Sequence, residues 1–434
     1  MKSFQNKLLI FAIIIGFVNF SIVDIYSQTF ENLDINNIDA GFNSSGDLFT
    51  DAALIYAPKC EVPQGSKLHA ISIANLWIGG YDQNDSLCVA AQTSRNQTGE
   101  DFWAGPVATA YNTTYDLRYK RVWKISKSEI EAHKLSFSNT GYAVPVSISE
   151  WPAHGNTLNG EAYKLAPYFD FNKNGKYDPV NGDYPIISGD EAVYFIFNDD
   201  RGVHTNSGGK KLTVEIHGMA YAFVDNPNPI LNDVIFINFK IYNRSQTTFS
   251  DLYFGYWFDF DLGYGSDDFV GCDTLSKTFY VYNGDNFDES SMGYGQNPPA
   301  IGVCLLNDKL SGFMSYNNDL SLKGNPTIAQ DYYYYMNSKF KNGQHARYGG
   351  DGFNDIWEDK VVNYLFPSSP LKLAPAWSEV SSGNTPSDRR ALGTYGSNTL
   401  APNDFVCIDM AVMYYREPST DHIGNADSLI SMAS

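Results

Sequence analysis

Basic residues are scarce in this chain. Its Lys and Arg number 30 against 49 Asp and Glu, a formal charge of −19 over 434 residues. So acidic a surface repels phosphate backbones and anionic lipid, which argues against nucleic acid as a partner. Cysteine is sparse as well: Cys60, Cys88, Cys272, Cys304 and Cys407 are the full set. Their spacings match no zinc motif, and an odd count leaves at least one thiol outside any pairing within the chain. Which of them pair is open, and isolated buried thiols fit several. No G-x-S-x-G, H-E-x-x-H or phosphate-binding loop occurs, so no hydrolase elbow, zinc-protease helix or nucleotide cradle is written here. Long helical periodicities are missing, and beyond residue 23 no segment is apolar enough to span a bilayer.

The first residues do carry an apolar run. Lys2 and Lys7 precede Leu8–Val18, and Ser27 follows as a small residue at a cleavage point. Residues 1–27 are expected to be a secretory signal peptide, with no membrane span left after its removal. The expected location is secreted or cell surface, where an acidic protein meets calcium.

The chain is rich in what sheets use: 30 Tyr and 28 Phe, with frequent Gly and Asn for turns. The expected fold is mainly β, with β-sandwich-like domains, long Gly/Asn/Asp-rich loops and one or two short helices. Residues 28–150 form an expected N-terminal β-rich region that starts as a polar, extended lead-in. Residues 151–415 form an expected sandwich-like region, and 416–434 an expected polar tail or linker. Apolar runs or alternation predict strands over 70–80, 87–93, 192–197, 211–223, 233–242, 251–260, 278–282 and 404–415. Ser126 followed by Glu129 is a capping box and predicts a short helix over 126–133. The tyrosines of Asp331–Met336 predict an aromatic strand or a partly exposed patch.

The acids are patterned. Asp170–Asp183 reads D-F-N-K-N-G-K-Y-D-P-V-N-G-D. Side chains at positions one, three, five and nine (Asp170, Asn172, Asn174, Asp178), a carbonyl at seven (Lys176) and Gly at six are what calcium asks of a tight loop. Position twelve is Asn181 in place of Glu, so Asp183 is the expected closing ligand. A second cluster, Asp259, Asp261, Asp267, Asp268 and Asp273, is expected to converge on another cation, because unpaired carboxylates at one place repel. Asp351, Asn354 and Asp355 form a weaker third string. His154 is expected to be structural. Glu215 and His217 share a strand face, where acid/base work in a cleft competes with a plain exposed polar face.

Several short motifs stand in order: L-W-I-G-G (76–80), D-F-W-A-G-P (101–106), W-P-A-H-G (151–155), G-D-Y-P (182–185), N-D-D (198–200), D-D-F-V-G-C-D (267–273), D-R-R-A-L (388–392) and L-A-P-N-D (400–404). Together they resemble a group of large secreted surface proteins of Bacteroidetes-type bacteria, exported by type IX secretion. The resemblance implies display or release outside the cell and carries no catalytic residues. The C-terminal sorting domain usual in that group is not seen in this sequence. Three D-S/T-L triplets (85–87, 273–275, 427–429) resemble O-glycosylation sites used by such bacteria. The expected function is a non-enzymatic, calcium-stabilised β-rich protein for surface display, adhesion or assembly, with a surface glycan or another extracellular protein as partner. The alternative is a secreted carbohydrate-active hydrolase, which would need a cleft with two carboxylates, one of raised pKa, or a carbohydrate-binding module, which would show exposed coplanar rings.

Overall fold

In the stretch 234–243 every second residue is apolar, and a period of two can bury only one face of a strand. The computed structural model describes residues 29–51, 54, 57–94, 98–224, 227–307, 309–353, 360–368, 371 and 377–434, and there Ile235, Ile237, Phe239 and Ile241 are all buried. Leu212, just before the preceding strand, and Val214 and Ile216 within it are buried as well.

The principal strands are β1 (Phe30–Leu33), β2 (Asp39–Asn43), β3 (Cys60–Glu61), β4 (Ile73–Tyr81), β5 (Leu87–Ala91), β6 (Trp103–Ala104), β7 (Trp123–Ser126), β8 (Glu191–Asn198), β9 (Val214–Ala222), β10 (Val234–Asn243), β11 (Phe249–Asp259), β12 (Asp268–Asp273), β13 (Thr278–Asn283), β14 (Ala300–Leu305), β15 (Gly312–Asn317), β16 (Arg389–Leu400) and β17 (Phe405–Tyr415). One sheet of nine strands runs β12-β13-β14-β17-β10-β9-β8-β6, with β7 also on β8. A second sheet of five runs β15-β16-β11-β4-β5. β4 and β5 precede residue 150 but pair onto β11, and β6 and β7 pair onto β8, so both sheets run across that position.

The two sheets face each other and make the fold a mainly-β sandwich. Phe279 of β13 lies edge-on to Phe258 of β11 at 5.5 Å and against Phe313 of β15 at 5.8 Å. A Cβ at Gly393 in β16 would fall 2.4 Å from the Phe279 ring, so glycine there sets how closely the layers approach. Trp77 and Trp257 stack at 6.1 Å in the same core.

The short helices follow local signals. In α1 (Thr113–Tyr119) Asn112 caps the first turn. In α2 (Lys127–Ser136) the Ser126 hydroxyl accepts from the Glu129 N–H while Glu129 Oε2 accepts from the Ser126 N–H at 2.9 Å, the expected capping box. One single-turn helix spans Val146–Ser149.

Three expectations change. The tyrosine run is helix α3 (Ala329–Met336), not a strand. Helical spacing puts Tyr332, Tyr335 and Met336 on one face, where they pack into the core. The lead-in is β1 and β2, paired antiparallel, with Leu33, Phe42 and Phe49 fully buried. The tail carries α4 (His422–Met432), capped by Asp421, and its buried Ala426, Leu429 and Ile430 seal the outer face of β13, β14 and β17.

Candidate carboxylate sites

The loop 170–183 closes on itself through its own polar groups. Gly175 is left-handed at φ 75°, as the sixth position requires. Asp170 accepts from the N–H of Asn174 at 3.1 Å and of Gly175 at 2.8 Å. Asn174 Oδ1 accepts from the Lys176 N–H at 2.8 Å. The amides of Asn172, Asn174 and Asn181 converge on the Asp178 carboxylate at 2.9–3.3 Å. Asp183 is buried, and its two oxygens take the N–H groups of Phe171 and Asp178 at 2.9 and 2.8 Å. It staples the two ends of the loop together. Burial pushes its carboxyl up, and the nearby Asp178 adds to this; Asp178 is held low, first by the Asn181 amide. Among the described residues no Lys or Arg pairs with Asp170, Asp178 or Asp183. The Asn172 oxygen accepts from the Asn174 N–H at 3.1 Å, so the amide oxygens of Asn172 and Asn174 are, like the Asp170 and Asp183 carboxylates, taken up by backbone N–H groups. The residue types are those that calcium uses, but these carboxylates are not among the described groups whose oxygens come within 4.8 Å of one another.

The second acidic string does not converge on one point. Asp268 starts strand β12 and Asp273 ends it, which spreads the cluster along a strand instead of round a loop. Asp273 accepts from the Ser276 N–H and closes a turn. Asp268 accepts from the Leu262 N–H at 2.9 Å. Asp267 takes the Asn283 amide at 2.9 Å, and burial and the neighbouring Glu289 carboxyl push it up to about 7.

Asp259 and Asp261 do come together, with a partner that the string does not contain. Their carboxylate oxygens and that of Asp388 lie within 4.8 Å of one another. Register brings this about: Arg390 of β16 stands directly across from Asp259 of β11, and Asp388 lies two residues before it. Arg390 Nη1 is 2.6 Å from Asp259 Oδ1 and also meets Asp388, whose other oxygen takes the Asn318 amide at 3.0 Å. Asp261 leaves the strand with a left-handed φ of 45°, a strained conformation for a non-glycine residue. Burial raises Asp259 well above the usual carboxylate range against the pull of Arg390, and it raises Asp261 too. One guanidinium faces three carboxyl groups here, and the crowding of like charges adds to the upward push on Asp259 and Asp261. These groups line a cavity of about 700 Å³ whose rim includes Thr93, Thr98, Asn206 and Thr327. Asp388 and Arg390 sit in the quoted D-R-R-A-L motif, and only strand pairing reveals their role.

Of the remaining candidates, His154 stacks on Tyr163 at 4.1 Å and reaches its carbonyl with Nδ1 at 3.1 Å. Glu215 and His217 are buried, not on an exposed face: His217 Nε2 donates to Glu215 Oε1 at 2.9 Å. All five cysteines are free thiols, four of them buried. Asp351 pairs with Lys323, while Asn354 and Asp355, like residues 1–27, lie outside the described residues.

No family model matches this chain, and no curated protein matches it. Among solved structures, the YeaD protein of Salmonella typhimurium, provisionally assigned as a mutarotase, aligns over 89% of this chain and 90% of its own at 9% identity and a TM-score of 0.26. A likeness of that size carries no argument about this chain.

Proposed function

We propose that this chain is a secreted or surface-exposed, non-enzymatic β-rich protein, stabilised by calcium, that serves in surface display, adhesion or assembly. The observation that carries this reading is the loop 170–183, where the side-chain amides of Asn172, Asn174 and Asn181 converge on Asp178 and no basic residue pairs with Asp170, Asp178 or Asp183 among the described residues. The loop packs on α2 through His133 and Phe137, so a cation there would pin a long connection to that helix. The acidic composition and the leader-like first residues support an extracellular setting. No helix among the described residues is long and apolar enough to cross a membrane. Thermal melting in calcium and in a chelator tests the reading. Calcium at about 100 times its Kd should add about 2.7 kcal/mol, and identical melting curves would end the calcium claim.

The cavity at Asp259 favours a second reading, a carbohydrate-active hydrolase. Asp259, whose carboxyl burial pushes well above the usual range, would protonate a leaving oxygen, and Asp261, with a carboxylate oxygen within 4.8 Å of it, would act as base or nucleophile. A glycan-substrate screen with Asp259→Asn and Asp261→Asn as controls decides it. Turnover by the native chain that both variants abolish supports the hydrolase; no turnover on any glycan leaves the first reading alone.

A further inference from the structure

A second cavity, of about 1020 Å³, opens on the outer face of the nine-stranded sheet, away from the Asp259 group. Its floor follows from register. Tyr194, Met219, Asn238 and Asp409 form one row across β8, β9, β10 and β17, and His217 and Lys240 belong to the next. Its roof is the segment around Leu165–Asp170 and Ile186–Ser188, the two flanks of the acidic loop.

The floor is rigid. Tyr194 donates its hydroxyl to His217 Nδ1 at 2.9 Å, and His217 passes the chain to Glu215. Glu215 also takes Arg244 on one oxygen and the Val107 N–H on the other at 2.9 Å. A buried network so fully satisfied fixes the rotamers around it. Lys240 lies 3.9 Å over the Phe405 ring and near Tyr242, with no carboxylate partner among the described residues. Tyr168, Tyr221 and Tyr242 are half-buried at the cavity, Tyr221 stacked on Phe236 at 5.2 Å and Tyr242 with the Arg244 guanidinium 4.3 Å over its ring.

Each class of ligand can be weighed against this lining. A peptide strand needs an open sheet edge, but β8, β9, β10 and β17 are interior strands whose backbone groups are spent on the ladders. A strongly charged ligand finds no net field, since Lys164 and Lys240 offset Asp170 and Asp409. A wholly apolar ligand would strip water from Asn238, Lys240 and Asp409 without replacing it. Flat rings beside neutral and balanced polar groups suit a ring that carries C–H faces and several hydroxyls.

We propose that this cavity binds a short stretch of neutral glycan chain, with its ring faces on Tyr221 and Tyr242 and its hydroxyls on Asn238, Lys240 and Asp409. This names the class of partner left open in the functional reading above, and it requires neither bound calcium nor turnover at Asp259.

Isothermal titration of the full chain with cellohexaose, maltohexaose and mannohexaose tests it, in a chelating buffer so that the calcium reading is judged separately by melting. At least one sugar should bind saturably. Tyr242→Ala and Lys240→Ala should each weaken that binding about tenfold or more, while Leu275→Ala, at an exposed position outside the cavity lining, leaves it unchanged. Lys240→Ala, at a half-exposed position, decides the matter should Tyr242→Ala fail to fold. Binding of none of the three sugars, binding that survives the floor variants, or binding lost in Leu275→Ala would overturn the proposal.

Discussion

Arg390 Nη1 lies 2.6 Å from Asp259 Oδ1, and the two residues face each other directly across paired strands. Both are buried, and the same guanidinium also meets Asp388. Arg390→Met would leave three carboxylates with no counter-charge. We expect it to cost about 3–5 kcal/mol, as for other broken buried pairs, read from the urea midpoint. Asp259→Asn keeps the volume and removes one of the competing acids, so its cost should be clearly smaller.

In the loop 170–183 two aspartates should separate by role. Asp183 binds two backbone N–H groups, so Asp183→Ala should lower the melting temperature in calcium and in chelator alike. The Asp178 carboxylate takes three side-chain amides and meets the Asp183 carboxyl, but binds no backbone N–H, so Asp178→Ala should lose the calcium-dependent increment and change little in chelator. Equal behaviour of the two variants would contradict this division.

Asp267 sets a pH dependence. Its folded value is pushed up to about 7, first by burial and then by Glu289, while an unfolded aspartate ionises near ~3.9. The folded state therefore holds this proton more tightly, and its contribution to stability is lost as pH rises from about 4 to about 7. Asp267→Asn can keep the Asn283 contact and donate to Glu289. Measured in a chelating buffer, it should melt higher than the native chain at pH 8, with the gap closing toward pH 4.

The five thiols predict insensitivity to reductant. Dithiothreitol should leave the melting temperature unchanged. Cys60 and Cys272 are fully buried with thiols raised by burial, so they should react with a thiol reagent only after unfolding.

Helix α4 predicts a cost at its core face. Leu429 is fully buried, so Leu429→Ala should destabilise by about 2–5 kcal/mol by chemical denaturation. A tail free in solvent would show no change.

Much of the sandwich is readable along the chain because its strands alternate strictly, as in Ile235–Ile241. Helix α3 is not, since four consecutive tyrosines erase any period and each satisfies a strand or a helix equally well. In α4 the apolar positions are few and set among Gly, Asn, Asp and Ser, which resembles a linker until the sheet beneath supplies the contact. The acidic loop is legible because its ligands are local. The Asp259 group is only half so, because Asp388 and Arg390 arrive from a distant strand by register, and no spacing rule links them to Asp259.

Strand β17 is hydrogen-bonded on both sides, to β10 and to β14, and Asn238 meets Asp409 across 171 residues of chain. Until residues 405–415 are available, the large sheet exists as two fragments with facing open edges, and its barrier to folding includes the closure of that long loop. A chain emerging from a ribosome therefore stays unlatched over most of its length, and those two edges stay open to mispairing until the central strand arrives.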